Sequence, residues 1–258
     1  MHGRRWPLWR TATFFLGLAA IAAALLSPID ELAHDLFSVH MVQHMLLMVV
    51  AAPLLLLGAP IRPLLRALPR SWRVRVVRPI ARSAVVRGAL HFLRQPLVAG
   101  AAYIGGLYAW HAPALYDAAL LDAKVHVVEH LWFFATALFF WSCIIDPEPF
   151  TATLPYPARI PYLLLAGAGQ NTILGGLLAF STRLLYSAYA GRPELHGIDA
   201  VTDQRVGGAI MWVPGDLIFL AAASMSFFLW LEQEERDQLK REAAARGAAA
   251  DVVARSPR

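Results

Sequence analysis

Two pairs of histidines, each spaced by four residues, are the residues of this sequence best placed to do chemistry. His40 and His44 form one pair, and His126 and His130 form the other. On an α-helix, residues i and i+4 lie on one face about one turn apart, so each pair presents two imidazoles to the same neighbour. Neutral imidazole binds copper, zinc and iron. The pattern therefore favours a metal site, or a haem whose iron is held by two histidines.

Three further residues could add ligands to the same site. His111 closes an apolar segment at the depth of the two pairs, and Met48 follows His44 by one helical turn. A thioether beside imidazole is the ligand set that selects Cu(I), although methionine is also a common filler of apolar helices. The predicted ligands are His40, His44, His126 and His130, with His111, Met48 and Met211 as additional candidates.

Several polar and aromatic residues are expected to surround these ligands. Glu129 lies within the second pair and could hold a ligating imidazole from behind. Asp203 begins the last apolar segment near the predicted site and could orient a ligand. The histidines could also be a purely structural polar cluster that joins helices by hydrogen bonds. The residues expected around the ligands are Glu129, Asp203, Gln43, Trp110 and Trp212.

A zinc hydrolase is an alternative interpretation of the second pair. Residues 126–130 match the inverted zinc-protease pattern H-x-x-E-H, in which Glu129 would be the general base and Glu194 a third ligand. The motif is short and leaves the first pair unexplained. The single cysteine, Cys143, excludes a disulfide framework and a thiolate-rich metal cage. We therefore favour a protein that is not an enzyme.

Long apolar runs must position these residues. Hydrophobic residues make up 58% of the 258-residue chain and charged residues only 16%. Runs near 20 residues have the length that an α-helix needs to cross a bilayer. The sequence predicts an all-α, polytopic transmembrane helix bundle over residues 1–231, then a charged tail over 232–258 that is helical at first and partly disordered. The six predicted spans are Thr11–Leu26, Phe37–Gly58, Pro96–His111, His126–Ile145, Arg159–Phe180 and Val206–Leu231.

The charge distribution predicts the orientation of the bundle. Residues 61–95 contain nine arginines and no acidic residue, and Arg4, Arg5 and Arg10 precede the first span. The positive-inside rule places this side, with both termini, in the cytoplasm, and the histidine pairs at the opposite face. The basic loop 61–95 is expected to set topology and contact anionic lipid, not nucleic acid. The first span alternatively resembles a cleaved signal peptide, which would leave five spans.

Five runs of sequence together resemble a known family. They are HMVQHMLL (40–47), APLLLLGAP (52–60), WHAPALYDAAL (110–120), HVVEH (126–130) and DQRVGGAIMWVPG (203–215). They are similar to the CtaG-type cytochrome c oxidase assembly factors, the family tied to caa-type oxidases. The resemblance covers most of residues 37–231. Many members have seven spans, against the six predicted here, and the family is unrelated to the single-span copper chaperone of the same name.

The resemblance implies a multi-pass protein of the bacterial cell (inner) membrane that helps a haem–copper oxidase to mature by supplying copper. It would be a metallochaperone or assembly factor with copper as its metal; zinc and haem are the alternatives. The implied partners are haem–copper oxidase subunits, the lipid bilayer and an extracytoplasmic copper donor. A scaffold that stabilises an oxidase subunit without carrying copper is also compatible with the resemblance.

Overall fold

The computed structural model describes residues 6–255, with side chains described up to residue 246. This range is helical and contains no β-strand, which confirms the predicted all-α class. Arg4, Arg5 and residues 256–258, on which part of the predicted orientation and tail rests, lie outside the described residues.

The helices follow the apolar segments of the sequence closely. They are α1 (Leu8–Leu26), α2 (Pro28–Ala33), α3 (Phe37–Gly58), α4 (Ile61–Ala67), α5 (70–82), α6 (Ala84–Leu93), α7 (Pro96–Trp110), α8 (Pro113–Leu121), α9 (Ala123–Ser142), α10 (Tyr156–Ala179) and α11 (Ala200–Arg255). Wider π-helical turns occur at Leu46–Ala51 in α3, Arg73–Val77 in α5 and Leu163–Ala168 in α10. Two 3₁₀ turns, Ser187–Tyr189 and Pro193–His196, lie between α10 and α11.

Within the described residues, five helices are long and apolar enough to cross a membrane: α1, α3, α9, α10 and the apolar part of α11. The protein is therefore a multi-pass membrane protein. The third predicted span, α7, has only 15 residues, or about 22 Å against a hydrocarbon core of about 30 Å. It runs antiparallel to α9: Arg94 donates to the carbonyl of Ser142 at one end (3.2 Å), and His111 lies against Phe133 towards the other.

Two sets of polar contacts mark the two ends of the bundle. At one end, Arg10 and Arg62 both pair with Glu148, which joins the start of α1, the basic segment and the loop after α9. At the opposite end, Arg192 donates to the carbonyl of His34 at 2.7 Å. The arginine-rich segments and the histidine pairs thus lie at opposite ends of the bundle, as the charge pattern predicts.

Close helix packing fixes α11 and α1 in the bundle. A Cβ atom on Gly175 of α10 would come within 2.7 Å of the Gly208 carbonyl oxygen of α11, so this helix pair is packed with backbone near backbone. Gln43 of α3 donates to the carbonyl of Ala24 at the end of α1 (2.9 Å). Helix α1 is therefore part of the bundle in this structure. Helix α11 continues through residues 231 and 232 without a break, and the partly disordered tail stays a prediction.

The orientation of the bundle can be tested by thiol labelling in a chain whose buried Cys143 is replaced by Ser. Leu195→Cys would place a thiol at a position 79% exposed at the histidine end, and Ser71→Cys would place one at an exposed position in the basic segment. We expect a membrane-impermeant maleimide to label Leu195→Cys in intact cells. Ser71→Cys should react only after the membrane is opened, because the positive side faces the cytoplasm. The reverse labelling pattern would show that the orientation is wrong.

Candidate metal centre

Helices α3 and α9 bring the two predicted histidine pairs into one cluster. Within the pairs, the ring centroids are 4.3 Å apart for His40 and His44 and 4.2 Å apart for His126 and His130. Between the helices, His40 lies 5.1 Å from His126, and His44 lies 5.3 Å from His130. The i, i+4 spacing thus gives two facing stripes of imidazole, joined where the helices pack.

Four side chains of this cluster could share a single ion. His40, His126, Glu129 and His130 each offer one ligand atom, and these atoms all lie within 4.8 Å of one another. The Nε2 atoms of His40 and His126 are 3.3 Å apart. A tetrahedral ion with bonds of 2.0–2.1 Å has donor atoms about 3.3 Å apart. A small inward movement of Glu129 and His130 would therefore complete such a site.

Glu129 supports a cation in this place most directly. Its side chain is fully buried, and neither carboxylate oxygen finds a hydrogen-bond partner among residues 6–246. The nearest basic atoms, Nε2 of His40 and Nε2 of His44, are each 3.9 Å away. Buried carboxylates in proteins are usually paired, hydrogen-bonded or coordinated to metal. Both ring nitrogens of His44 and Nε2 of His130 also lack partners within the same part of the chain.

Two tyrosines fix the orientation of His40. Its Nδ1 lies 2.7 Å from the hydroxyl of Tyr116 and 3.0 Å from that of Tyr189, and the Tyr189 hydroxyl donates to the carbonyl of Ala33 at 2.8 Å. Burial raises the pKa of both phenols well above the usual value, so they stay protonated. Because the Tyr189 hydroxyl donates to a carbonyl, its oxygen can only accept from His40. In the tautomer with the proton on Nδ1, His40 donates to the two hydroxyl oxygens, and Tyr116 can donate to Tyr189 (3.4 Å). Nε2 then presents its lone pair to the cluster, as in metal-binding histidines.

His111 also has one ring nitrogen fixed by a hydrogen bond and the other ring nitrogen free of partners in the described part of the chain, but it lies next to the four-ligand group and not within it. Its Nδ1 donates to the carbonyl of Leu107 at 2.7 Å, which leaves the buried Nε2 as an acceptor without a partner among the described residues. His111 and His44 line a cavity of about 10 Å³ together with Met48 and Met211. The seven residues predicted as ligands thus lie either in this histidine cluster or around the adjoining cavity.

Two of the residues expected to surround the ligands, Asp203 and Gln43, contact the backbone and neighbours of α3. Asp203 of α11 accepts hydrogen bonds from the backbone N–H groups of Phe37 (2.6 Å) and Ser38 (3.3 Å), and from the Ser38 hydroxyl, so it caps the start of α3. Gln43 donates to Asp30 at 2.7 Å as well as to the end of α1. Both side chains fix the position of α3, Asp203 from α11 and Gln43 by its contacts with α1 and α2. Neither of them hydrogen-bonds to an imidazole in these contacts.

The remaining residues singled out from the sequence lie in the packing around the cluster and in the loop before α11. Trp110 is buried in the apolar core, and Trp212 packs against Phe180 at 5.9 Å between ring centroids. Glu194, the third ligand of the hydrolase interpretation, accepts from the backbone N–H of Ala200 at the start of α11. Tyr116 and Tyr189 were not predicted as partners of His40, because no regular spacing in the sequence links them to it.

Comparison with known proteins shows the family of the chain. Residues 1–233 match the family described as cytochrome c oxidase caa3 assembly factor (Caa3_CtaG). The chain belongs to this family. No solved structure matches the chain.

Mycobacterial proteins are among the relatives of this assembly-factor chain. An uncharacterized protein of Mycobacterium leprae is 28% identical over 96% of this chain, and one of Mycobacterium tuberculosis is 29% identical over 91%. The matches cover 38% and 36% of those proteins. The chain therefore spans less than two fifths of the length of the curated relatives that it matches.

Replacing Asp203 should destabilise the end of the bundle that carries the histidines. In Asp203→Ala, three donors at the start of α3 lose a buried acceptor, so we expect the free energy of unfolding to fall by about 1–3 kcal/mol. Asp199→Ala is the matched control, because Asp199 caps the start of α11 but is exposed; its loss should be smaller. Thermal unfolding of the detergent-purified proteins, followed by circular dichroism, measures both. Equal losses would show that Asp203 is not a buried anchor of α3.

Proposed function

We propose that this caa3 assembly factor binds copper in the cluster of His40, His126, Glu129 and His130 and delivers it to a subunit of a haem–copper oxidase. The observation that carries this proposal is the buried Glu129 carboxylate, which has no hydrogen-bond partner among the described residues and lies between imidazoles. A cation held there would neutralise the carboxylate and satisfy the imidazole lone pairs. Membership of an oxidase assembly family connects such a cation to a copper-containing enzyme.

The donor set supports copper over a hard cation. Three imidazoles and one carboxylate suit Cu, Zn or Fe, whereas Mg²⁺ and Ca²⁺ prefer oxygen ligands. Met48 and Met211 lie beside His44 and His111 at the adjoining cavity, and thioethers favour Cu(I). Copper is therefore the proposed cargo, and zinc is the alternative that the same residues would accept.

The surroundings of the cluster support a route from the extracytoplasmic face. His34, in the loop between α2 and α3, lies 5.4 Å from His126 between ring centroids and is half-buried. His126 in turn lies within hydrogen-bonding distance of His40. In the proposal, an extracytoplasmic donor presents copper at His34 and His126, and the ion then passes inward to His40 and Glu129. In the proposal, the protein lies in the bacterial cell membrane with its histidine end outward.

The zinc hydrolase is the second candidate, because Glu129 belongs to the same donor group as the histidines. A hydrolase needs an open coordination position that water and substrate can reach, whereas Glu129 and His40 are fully buried. Haem is a poorer fit. The 3.3 Å between Nε2 of His40 and Nε2 of His126 leaves no room for a porphyrin between them. We therefore propose a binding and delivery role without catalysis.

The proposal predicts the metal content of the purified protein. Wild-type protein loaded with Cu(I) and washed should retain copper, and His126→Ala combined with His130→Ala should retain less copper, because two of the four ligands of this group are removed. His91→Ala combined with His196→Ala is the matched control, since both residues lie outside the cluster. Mass spectrometry measures the copper bound by each protein. Circular dichroism shows whether a variant that has lost copper is still folded.

The same variants test delivery in cells. A strain that lacks the protein should assemble an oxidase with little copper, and wild type or the His91, His196 control should restore it. The His126, His130 variant should not. Normal oxidase copper in the deletion strain would contradict delivery. Zinc retained in place of copper would favour the hydrolase, which could then be tested with Glu129→Gln.

A further inference from the structure

A small cavity next to the histidine cluster gathers most of the chain's methionines. It measures about 10 Å³, close to the space that one water molecule needs. Met41, Met45 and Met48 of α3 and Met211 of α11 line it, and they are four of the six methionines in the sequence. Methionine does fill irregular gaps in apolar cores. Gap filling alone, however, does not account for the histidines that share the cavity.

Two buried histidines at this cavity have ring nitrogens without partners. His44 is 4% exposed and His111 is 6% exposed. Neither ring nitrogen of His44 finds a hydrogen-bond partner among residues 6–246, and the same holds for Nε2 of His111. Since Nδ1 of His111 donates to the carbonyl of Leu107, Nε2 carries a lone pair. Such groups are costly to bury unless something binds them.

The pattern of α3 explains why histidine and methionine meet here. With 3.6 residues per turn, His40 and His44 form one stripe of the helix, and Met41 and Met45 form the adjoining stripe. Met48 follows in the π-helical turn Leu46–Ala51 and lines the same cavity. His44 lies at the border between the two stripes. Accordingly, its Nε2 lies 3.9 Å from Oε1 of Glu129 while its ring also lines the methionine cavity.

We propose that this cavity is a second metal position, built for a monovalent soft cation of the Cu(I) class and distinct from the His40, His126, Glu129, His130 group. Its ligands are drawn from His44, His111, Met48 and Met211, since imidazole with thioether selects Cu(I) over harder ions. Because His44 borders both positions, a copper ion passes between them without leaving the protein. This inference rests on the proposed copper function and assigns that function an inner, soft-donor position.

X-ray absorption at the copper edge tests the inference on detergent-purified full-length protein loaded with Cu(I) under anaerobic conditions. Wild type should show sulfur scattering from thioether ligands. Met48→Leu combined with Met211→Leu nearly conserves side-chain volume; it should lose that sulfur scattering, while the nitrogen and oxygen scattering from copper in the His/Glu group remains. Met225→Leu is the control, because Met225 lies on α11, is 60% exposed and does not line the cavity.

The outcomes separate this inference from the proposed function. Sulfur-bound copper that persists in the His126→Ala, His130→Ala variant would support a distinct inner position. Copper bound by wild type with nitrogen and oxygen scattering alone would overturn the inner position and leave the His/Glu site standing. No copper in wild type would overturn both. The wild-type spectrum decides the question even if the methionine variant does not fold.

Discussion

The burial of the Glu129 carboxylate among imidazoles is the constraint on which the histidine end of this bundle depends. A carboxylate without a hydrogen-bond partner is unfavourable in a low-dielectric interior unless a cation or a proton compensates its charge. Glu129 can stay there only if the groups around it are held at fixed distances. The two basic nitrogens nearest to it are 3.9 Å away, too far for a direct hydrogen bond but close enough to share an ion.

The neighbouring helices and loops keep the imidazoles at these distances from Glu129 through hydrogen bonds that do not involve Glu129. Asp203 anchors the first turn of α3, and Gln43 ties the same helix to α1 and α2. Tyr116 and Tyr189 hold the His40 ring from the side opposite to its Nε2. Polar groups in a membrane interior are expensive and usually serve function. Among the described residues, Asp203, Tyr116 and Tyr189 are hydrogen-bonded, whereas Glu129, His44 and His130 have buried atoms without partners. Unpartnered groups gathered in one place are the pattern expected where an ion binds.

Features that depend on residues close in sequence could be predicted, whereas features that depend on distant residues could not. The spans follow from apolar runs, and the histidine stripes follow from i, i+4 spacing, so both were predictable. The family was predictable because its motifs are long and ordered. The hydrogen bond between His40 and Tyr189 joins residues 149 positions apart. Only the packing of the loop before α11 reveals it. The role of Asp203 at α3 and the short length of α7 likewise depend on tertiary contacts.

Stabilisation by metal is the sharpest test of the Glu129 site, because an ion that completes this cluster must bind the folded state better than the unfolded chain. At a concentration one hundred times its dissociation constant, a ligand of this kind stabilises by about 2.7 kcal/mol, which raises the unfolding temperature by roughly 5–10 °C for a chain of this size. Thermal unfolding of metal-free, detergent-purified wild type should show this rise on adding Cu(I), and Glu129→Gln combined with His130→Ala should show a smaller rise. An unchanged unfolding temperature in the wild type would mean that the buried cluster is a structural feature and not a metal site.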